Sequence, residues 1–305
     1  MNLPSWWQLE VTAPFKLGPR ELPGRIWTAS GCFAYGLHAH DFRAADGTSP
    51  YLGVGAVVTK TVTPLPRTGN AMPRLVETAC GALNSIGLEN VGFEDFLANV
   101  LPELEARGVP TVVSLAATTP EDFGPLVRRL HEHASGFAHW HGVELNLSCP
   151  NVAEGGHDFG SAPATVARCV AAARAWLPDR ALMAKITPNV ADIAQLALAA
   201  RDAGADAVSA INTVVGLDVD LRTGQPYLPR RFGGYSGQAI LPIALAKVDQ
   251  IVRGVGVPVV GVGGIAEPED ALKFFALGAV AVQVGTAQMR DPFAAARIAR
   301  GLARR

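Results

Sequence analysis

The sequence predicts an α/β chain folded as a parallel (β/α)8 barrel, and three observations predict it. Eight short β-rich runs alternate with stretches of helix length along the 305 residues. The runs are near-continuously apolar, as strands covered on both faces are. Polar, cationic and glycine residues gather where the runs end, which is where such a barrel builds its site. A doubly wound open sheet is the alternative, because the same alternation serves both folds.

In chain order the expected strands are RIWTAS (25–30), GAVVTK (55–60), TVVSL (111–115), GVELNLS (142–148), ALMAKIT (181–187), DAVSAIN (206–212), VPVVGV (257–262) and VAVQVG (280–285). Between the fifth and sixth, NVADIAQLALAARDAG reads as an amphipathic helix. Asn189 is its expected cap, Asp192 lies in the first turn, and Ile193, Leu196, Ala197 and Ala200 share one face before Gly204 ends it. EPEDALKFFALG follows the same logic, opening on Pro268 and acids and closing at Gly278. Residues 61–90 and 213–237 are too long for ordinary barrel loops, and together with the loop after the fourth strand they should cover the C-terminal face. Without a linker or low-complexity tract, residues 1–305 read as one domain.

The composition narrows the function classes. A formal net charge of −1 offers no field to attract nucleic acid or an anionic membrane. Four cysteines, Cys32, Cys80, Cys149 and Cys169, have neither metal-site spacing nor the density of a disulfide scaffold, so a reducing cytoplasm is expected. MNLPSWWQLE does not read as a signal peptide, and no apolar run approaches a membrane span.

The strand ends carry the chemistry. After the last two strands, GVGGIAEPED and VGTAQ place Gly263, Gly264, Gly285 and Thr286 where backbone N–H groups and a helix start favour an anion. A close-packing turn would also explain the glycines. Lys60 and Lys185 end strands that are otherwise apolar or small, and two cations at one mouth fit a ligand that gains negative charge, as a flavin does on reduction. Asn84, Asn146, Asn151 and Asn212 match the alternating N–H and C=O groups of a planar imide or ureide, although asparagines also cap and turn.

Cys149 ends VELNLSCPN between two asparagines. A core cysteine needs no following proline, and a covalent nucleophile wants a partner histidine or a helix N-terminus; the nearest histidine on the C-terminal side, His157, lies across a glycine-rich run and nothing obliges it to pair. A thiol that ordinarily titrates near ~8.5 suits a general base for an activated C–H. AEGGHDFG after it has the composition of a closing lid. The four histidines of HEH (131–133) and HWH (139–141) flank the start of the fourth strand, opposite the expected mouth, where a structural or exposed role is expected rather than a metal site.

These residues resemble the class 1 dihydroorotate dehydrogenases. ELNLSCPNV with GGHDFG resembles their catalytic loop, and ASGCFAYG, TKT, GNAMPRLVETACGALNSIGLEN, KITPNV, AINT, GGYSG, GVGGI and VGTA extend the likeness in order over nearly the whole chain. The resemblance implies an FMN-binding TIM barrel that oxidises dihydroorotate to orotate in pyrimidine biosynthesis. Cys149 would remove the C5 proton while C6 gives hydride to flavin N5. Lys60 would touch flavin and substrate, and Asn84, Ser85, Ile86, Gly87, Leu88, Asn146, Asn151, Asn212 and Thr213 would surround the substrate. Ser30, Thr61, Ser114, Asn146, Lys185, Ile211 and Gly237 would hold the flavin, and Gly263, Gly264, Gly285 and Thr286 its phosphate.

A cysteine base speaks against the membrane-bound, quinone-linked class, which uses serine. The continuation after Asn151 looks like the 1B branch, in which a homodimer of such chains passes electrons to NAD through an iron–sulfur flavoprotein subunit. The fumarate-linked branch, also a homodimer, is the alternative. The sequence departs from the family at Ser114, where an asparagine usually touches the flavin, and at AAT (116–118), where a glycine is usual. A dihydropyrimidine dehydrogenase-like enzyme and a flavin-free phosphate-binding barrel are the other readings weighed.

Overall fold

In the computed structural model, which describes residues 9–147 and 160–304, a strand falls on each of the eight expected runs, the fourth beginning two residues earlier than expected at Trp140, and the strands close into one parallel barrel. They are β1 (Ile26–Thr28), β2 (Ala56–Val58), β3 (Thr111–Leu115), β4 (Trp140–Asn146), β5 (Ala181–Lys185), β6 (Ala207–Ala210), β7 (Val259–Val262) and β8 (Ala281–Val284). Each pairs with the next in chain order, and β8 pairs with β1 through Val282↔Ile26 and Val284↔Thr28. The open-sheet alternative is thereby excluded.

The two-residue period of a strand sorts side chains between two apolar regions. Trp27, Ala56, Val58, Ala181, Met183, Ala207, Val260 and Ala281 fill the bore, whose N-terminal end is stoppered by Phe15, Leu17 and Leu22 of an antiparallel hairpin. The alternate residues, among them Val57, Val143, Leu145, Leu182 and Val282, face the helical shell. That shell comprises α1 (Phe93–Asp95, a π-helical turn over Phe96–Val100, then Leu101–Ala106), α2 (Phe123–Ala134), α3 (Pro163–Arg174), α4 (Ile193–Asp202), α5 (Leu241–Gly254), α6 (Pro268–Ala276), α7 (Thr286–Arg290) and α8 (Ala294–Ala303).

The expected helix faces hold, with one correction. Ile193, Leu196, Ala197 and Ala200 of α4 are buried, and Gly204 follows it at φ 101°. Its cap is Asp192, whose carboxylate accepts from the Ala194 N–H at 2.9 Å, and not Asn189. An N-cap reaches only the second or third N–H of its helix, and Asn189 stands too far upstream. Asn189 instead donates to Thr187 Oγ1 (3.1 Å) and the Thr213 carbonyl (3.0 Å), tying the end of β5 to the chain leaving β6.

The long excursions after β2 and β6 meet over the barrel. Leu75–Thr78, Gly81–Asn84, Gly233–Ser236 and Val214–Gly216 form one antiparallel four-stranded sheet, in which Asn84 pairs with Gly234 and Tyr235 with Val214. The third expected excursion, after β4, lies outside the described residues apart from Leu147 and residues 160–162.

At the opposite end, His131 Nε2 is 2.7 Å from Asp179 and the His133 ring packs edge-on against Phe137. His141 is buried; burial first, then the charge of Arg20, hold its pKa at about 4, below the usual 6.5. The folded ring therefore stays neutral between pH 6.5 and 4, while the unfolded ring takes up a proton. Stability is fully present above pH 6.5 and is lost as pH falls towards 4, by at most about 3 kcal/mol. Urea midpoints measured across that window should fall less steeply in His141→Leu than in the wild type; parallel slopes would remove His141 from the account.

Candidate functional site

Strand β2 runs straight into Thr59, Lys60 and Thr61, β4 ends on Asn146, β5 on Lys185, and β6 delivers Ile211, Asn212 and Thr213, so alternation along apolar strands brings these side chains to one mouth. There a cavity of about 1360 Å³ lies between the strand ends and the antiparallel roof. A single small-molecule pocket is ordinarily ~300–1,000 Å³, so this one has room for two ligands side by side. Its lining includes Ser30, Lys60, Thr61, Asn84, Ser85, Ile86, Gly87, Leu88, Asn146, Lys185, Ile211, Asn212, Thr213, Gly237, Gly263, Gly264, Gly285 and Thr286. Ser114 does not line it. Its buried hydroxyl lies 2.9 Å behind Thr61 Oγ1, so it orients a lining residue.

One chain of hydrogen bonds crosses the floor. The Ser30 hydroxyl donates to the Thr59 carbonyl (2.8 Å) and lies 3.1 Å from Thr61 Oγ1. Asn146 Nδ2 donates to Thr61 Oγ1 (3.2 Å), Asn212 Nδ2 donates to Asn146 Oδ1 (3.3 Å), and the Thr213 N–H donates to Asn212 Oδ1 (2.9 Å). Each amide is held by its neighbour, leaving lone pairs and N–H groups of known orientation for a planar ligand.

Lys185 points into the bore above Met183, with Nζ 3.2 Å from Gln283 Oε1 and 3.7 Å from Glu144 Oε1. Glu144, Gln283 and Ser209 are fully buried in the same layer. Lys60 lies close by; a Cβ at Gly31 would be 3.6 Å from its Nζ. Cys32 lines the same cavity, within electrostatic reach of both lysines. Burial pushes its pKa up, and Lys185 and Lys60 only partly offset that, so it stays protonated.

Two glycines are needed here for stated reasons. Gly264 has φ 78°, and a Cβ on it would lie 2.7 Å from the Leu241 backbone at the start of α5. Gly237 has φ 103°, and its Cβ would lie 2.5 Å from Gly81 Cα in the roof. Close packing thus explains GVGG, yet the same turn faces the cavity. Among the described residues the N–H groups of Gly263, Gly264 and Gly285 meet no protein acceptor, which leaves them for an anion. The helix start expected after β7 stands apart from them, whereas after β8 Thr286 opens α7 directly behind Gly285. Helix α6 begins only at Pro268, and Glu267 and Asp270 form a capping box on its first turn.

The roof segment Asn84–Leu88 is braced from behind. Asn70 Nδ2 donates to the Ser85 carbonyl (2.9 Å) and hydroxyl (3.0 Å). Buried Asn90 donates to the Leu88 carbonyl (2.7 Å) and Thr63 Oγ1 (2.7 Å) and accepts from the N–H groups of Thr63 and Gly92. Leu88, at φ 56°, is held in a conformation that leucine otherwise avoids. Asn84 Nδ2 donates to the Gly234 carbonyl at 3.1 Å, which joins the two excursions.

Cys149 and Asn151, with the rest of 148–159, lie outside the described residues. The chain enters that segment from Leu147, whose N–H donates to the Lys185 carbonyl at 3.3 Å. Glu144, Gln283, Ser209, Asn90 and Cys32 also stand in or around the site without a role expected from sequence, and Asn189, expected as a cap, lines the cavity. A polar residue in an otherwise apolar strand, as in GVELN, AVSA and VAVQV, was the available signal for the first three.

A family model described as dihydroorotate dehydrogenase matches residues 15–305. A protein of Pelobacter propionicus named "Dihydroorotate dehydrogenase B (NAD(+)), catalytic subunit" is 44% identical over 284 residues, covering 93% of this chain and 90% of that one. Its namesake in Solidesulfovibrio magneticus is 40% identical over 297 residues, covering 96% and 93%. Among solved structures, Eimeria tenella dihydroorotate dehydrogenase in complex with ferulenol superposes with a TM-score of 0.72 at 21% identity, over 95% of this chain and 83% of that one, a likeness of fold alone.

Proposed function

The chain belongs to the dihydroorotate dehydrogenase family, oxidoreductases acting on CH–CH bonds, and on that premise we propose that it oxidises (S)-dihydroorotate to orotate with FMN as its flavin. One observation carries the reading: the hydrogen-bonded chain Ser30–Thr61–Asn146–Asn212–Thr213 and both lysines line a single cavity with room for flavin and substrate.

The residues present fit FMN. The free N–H groups of Gly263, Gly264 and Gly285, with Thr286, suit its phosphate. Ser30, Thr61, Asn146, Ile211, Gly237 and Lys185 suit the ring system, with Ser114 setting the Thr61 hydroxyl from behind. Bound FMN supplies an acceptor for the hydride that leaves C6 of the substrate. Asn84, Ser85, Ile86, Gly87, Leu88, Asn146, Asn151, Asn212 and Thr213 hold the substrate ring, and Lys60 spans both ligands and balances the carboxylate. Cys149 takes the C5 proton, so that C5–H and C6–H bonds break as the C5=C6 bond forms.

Electrons then leave for NAD through an iron–sulfur flavoprotein subunit; relatives named as NAD(+)-linked catalytic subunits support this. A homodimer is the expected assembly. The excursion after β6 exposes Val215, Leu217, Val219, Leu221 and Tyr227, an apolar arm that a second copy would cover. Among the described residues no helix is long and apolar enough to cross a membrane, and Cys32, Cys80 and Cys169 are unpaired, which suits the cytoplasm.

Ligand competition tests the substrate. Orotate should perturb the flavin spectrum of the loaded chain and uracil, which lacks the carboxylate, should not at equal concentration. Equal perturbation by both would move the substrate towards uncharged pyrimidines.

A further inference from the structure

We propose that Glu144 is the buried counter-ion of Lys185, joined to it through Gln283, and that this pair sets the positive charge a bound flavin meets at the cavity floor. The second half rests on the flavin reading above; the first does not.

The placement follows from strand period. Glu144 on β4, Lys185 on β5, Ser209 on β6 and Gln283 on β8 all face the bore, the last three each one inward-facing step beyond Met183, Ala207 and Ala281 of their own strands. Glu144 Oε2 accepts from Ser209 Oγ and Gln283 Nε2, both at 2.6 Å. The Gln283 amide turns its oxygen to Lys185 Nζ (3.2 Å) and its nitrogen to Glu144. That orientation suits a cation on one side and an acceptor on the other.

The direct Lys185–Glu144 separation, 3.7 Å, is longer than a hydrogen bond, so the amide relays the contact. Lys185 lines the cavity and Glu144 does not; the cation stands on the ligand side and the anion behind it. An uncompensated carboxylate over an apolar layer would be costly, and an uncompensated ammonium would over-stabilise negative charge in the ligand. Glu144 acts through Lys185 and touches no ligand, so it is a positioning residue. Lys60 also faces the cavity, but its charge is common to every variant below.

The test is the flavin reduction potential of the FMN-loaded chain, with its thermal midpoint as an independent readout. Glu144→Gln keeps the side-chain shape and removes the charge. It should favour the reduced flavin at least tenfold, a rise of about 30 mV for two electrons. Glu144→Asp, which keeps the charge, should shift the potential less than half as far, and Lys185→Met should lower it. A Glu144→Gln protein with bound flavin and an unmoved potential overturns the proposal.

Should Glu144→Gln fail to fold, the double variant with Lys185→Met carries no buried charge and is expected to fold. Its potential must exceed that of Lys185→Met alone, and equality overturns the proposal equally. A chain that takes up no FMN refutes the flavin reading and leaves the pair to be judged on the apo protein. There each single variant should lower the thermal midpoint more than the double variant does, whereas additive losses would overturn the pairing.

Discussion

Replacing Cys149 by alanine should leave FMN bound and slow its reduction by dihydroorotate about 10²–10⁴-fold, the usual contribution of a positioned general base. The effect is large because C5 of the substrate gives up its proton only to a group held over it, and in sequence Cys149 follows by three residues Asn146, which lines the mouth. The pH profile has a definite sign. The thiolate is the active form, so below the thiol pKa the wild-type rate should rise about tenfold per pH unit and then level. In Cys149→Ala that limb should vanish, and Cys149→Ser should fall between, since a hydroxyl is the weaker base. Thiol labelling alone would mislead, because Cys32 also lines the cavity. The base assignment would be refuted by wild-type reduction rates in Cys149→Ala.

Asn146→Ala should be nearly as damaging, with a loss of about 10³ in kcat/KM, equivalent to about 4 kcal/mol. Asn146 is the junction of the floor. Its amide donates to Thr61 and accepts from Asn212, so its loss takes one partner from each of two lining groups and breaks the chain between them. The damage should fall on kcat and KM together, because the proposal assigns Thr61 to the flavin and Asn212 to the substrate. A change confined to KM would mean that Asn146 serves substrate binding alone. A full-length rate series on Asn146→Ala, Thr61→Val and their combination would also show whether the chain acts as a unit, since a unit gives strongly non-additive losses.

The barrel was legible because its strands are apolar on both faces and stop abruptly at polar residues. TVVSL and ALMAKIT have no other comfortable home than a bore wrapped by helices. The roof was not legible. Leu75–Thr78 and Gly81–Asn84 are half-exposed, four residues long, and one of them pairs with Gly233–Ser236 some 150 residues away, so neither period nor turn chemistry marks them as a sheet. Long loops after β2 and β6 could be expected from length alone, but not that they would pair.

The site divides along the same line. Residues at the ends of strands were readable, because a barrel puts every strand end at one mouth. Ser114 was the exception; its side chain is turned behind Thr61, which sequence cannot show. Glu144 escaped notice for the opposite reason, since a carboxylate inside VELN looks like half of an alternating exposed strand until the barrel closes over it. The misassigned cap at Asn189 has a similar origin. Both Asn189 and Asp192 are good caps by type, and only the backbone turn at Asp192 decides between them.

The most direct test of the central claim is an anaerobic visible spectrum of the purified chain, FMN-loaded, before and after adding dihydroorotate. Bleaching of the flavin band, with orotate formed in equal amount, is the predicted result. A flavin band that persists in excess dihydroorotate would contradict the proposed reaction, and a chain that retains no FMN would contradict the proposed cofactor site.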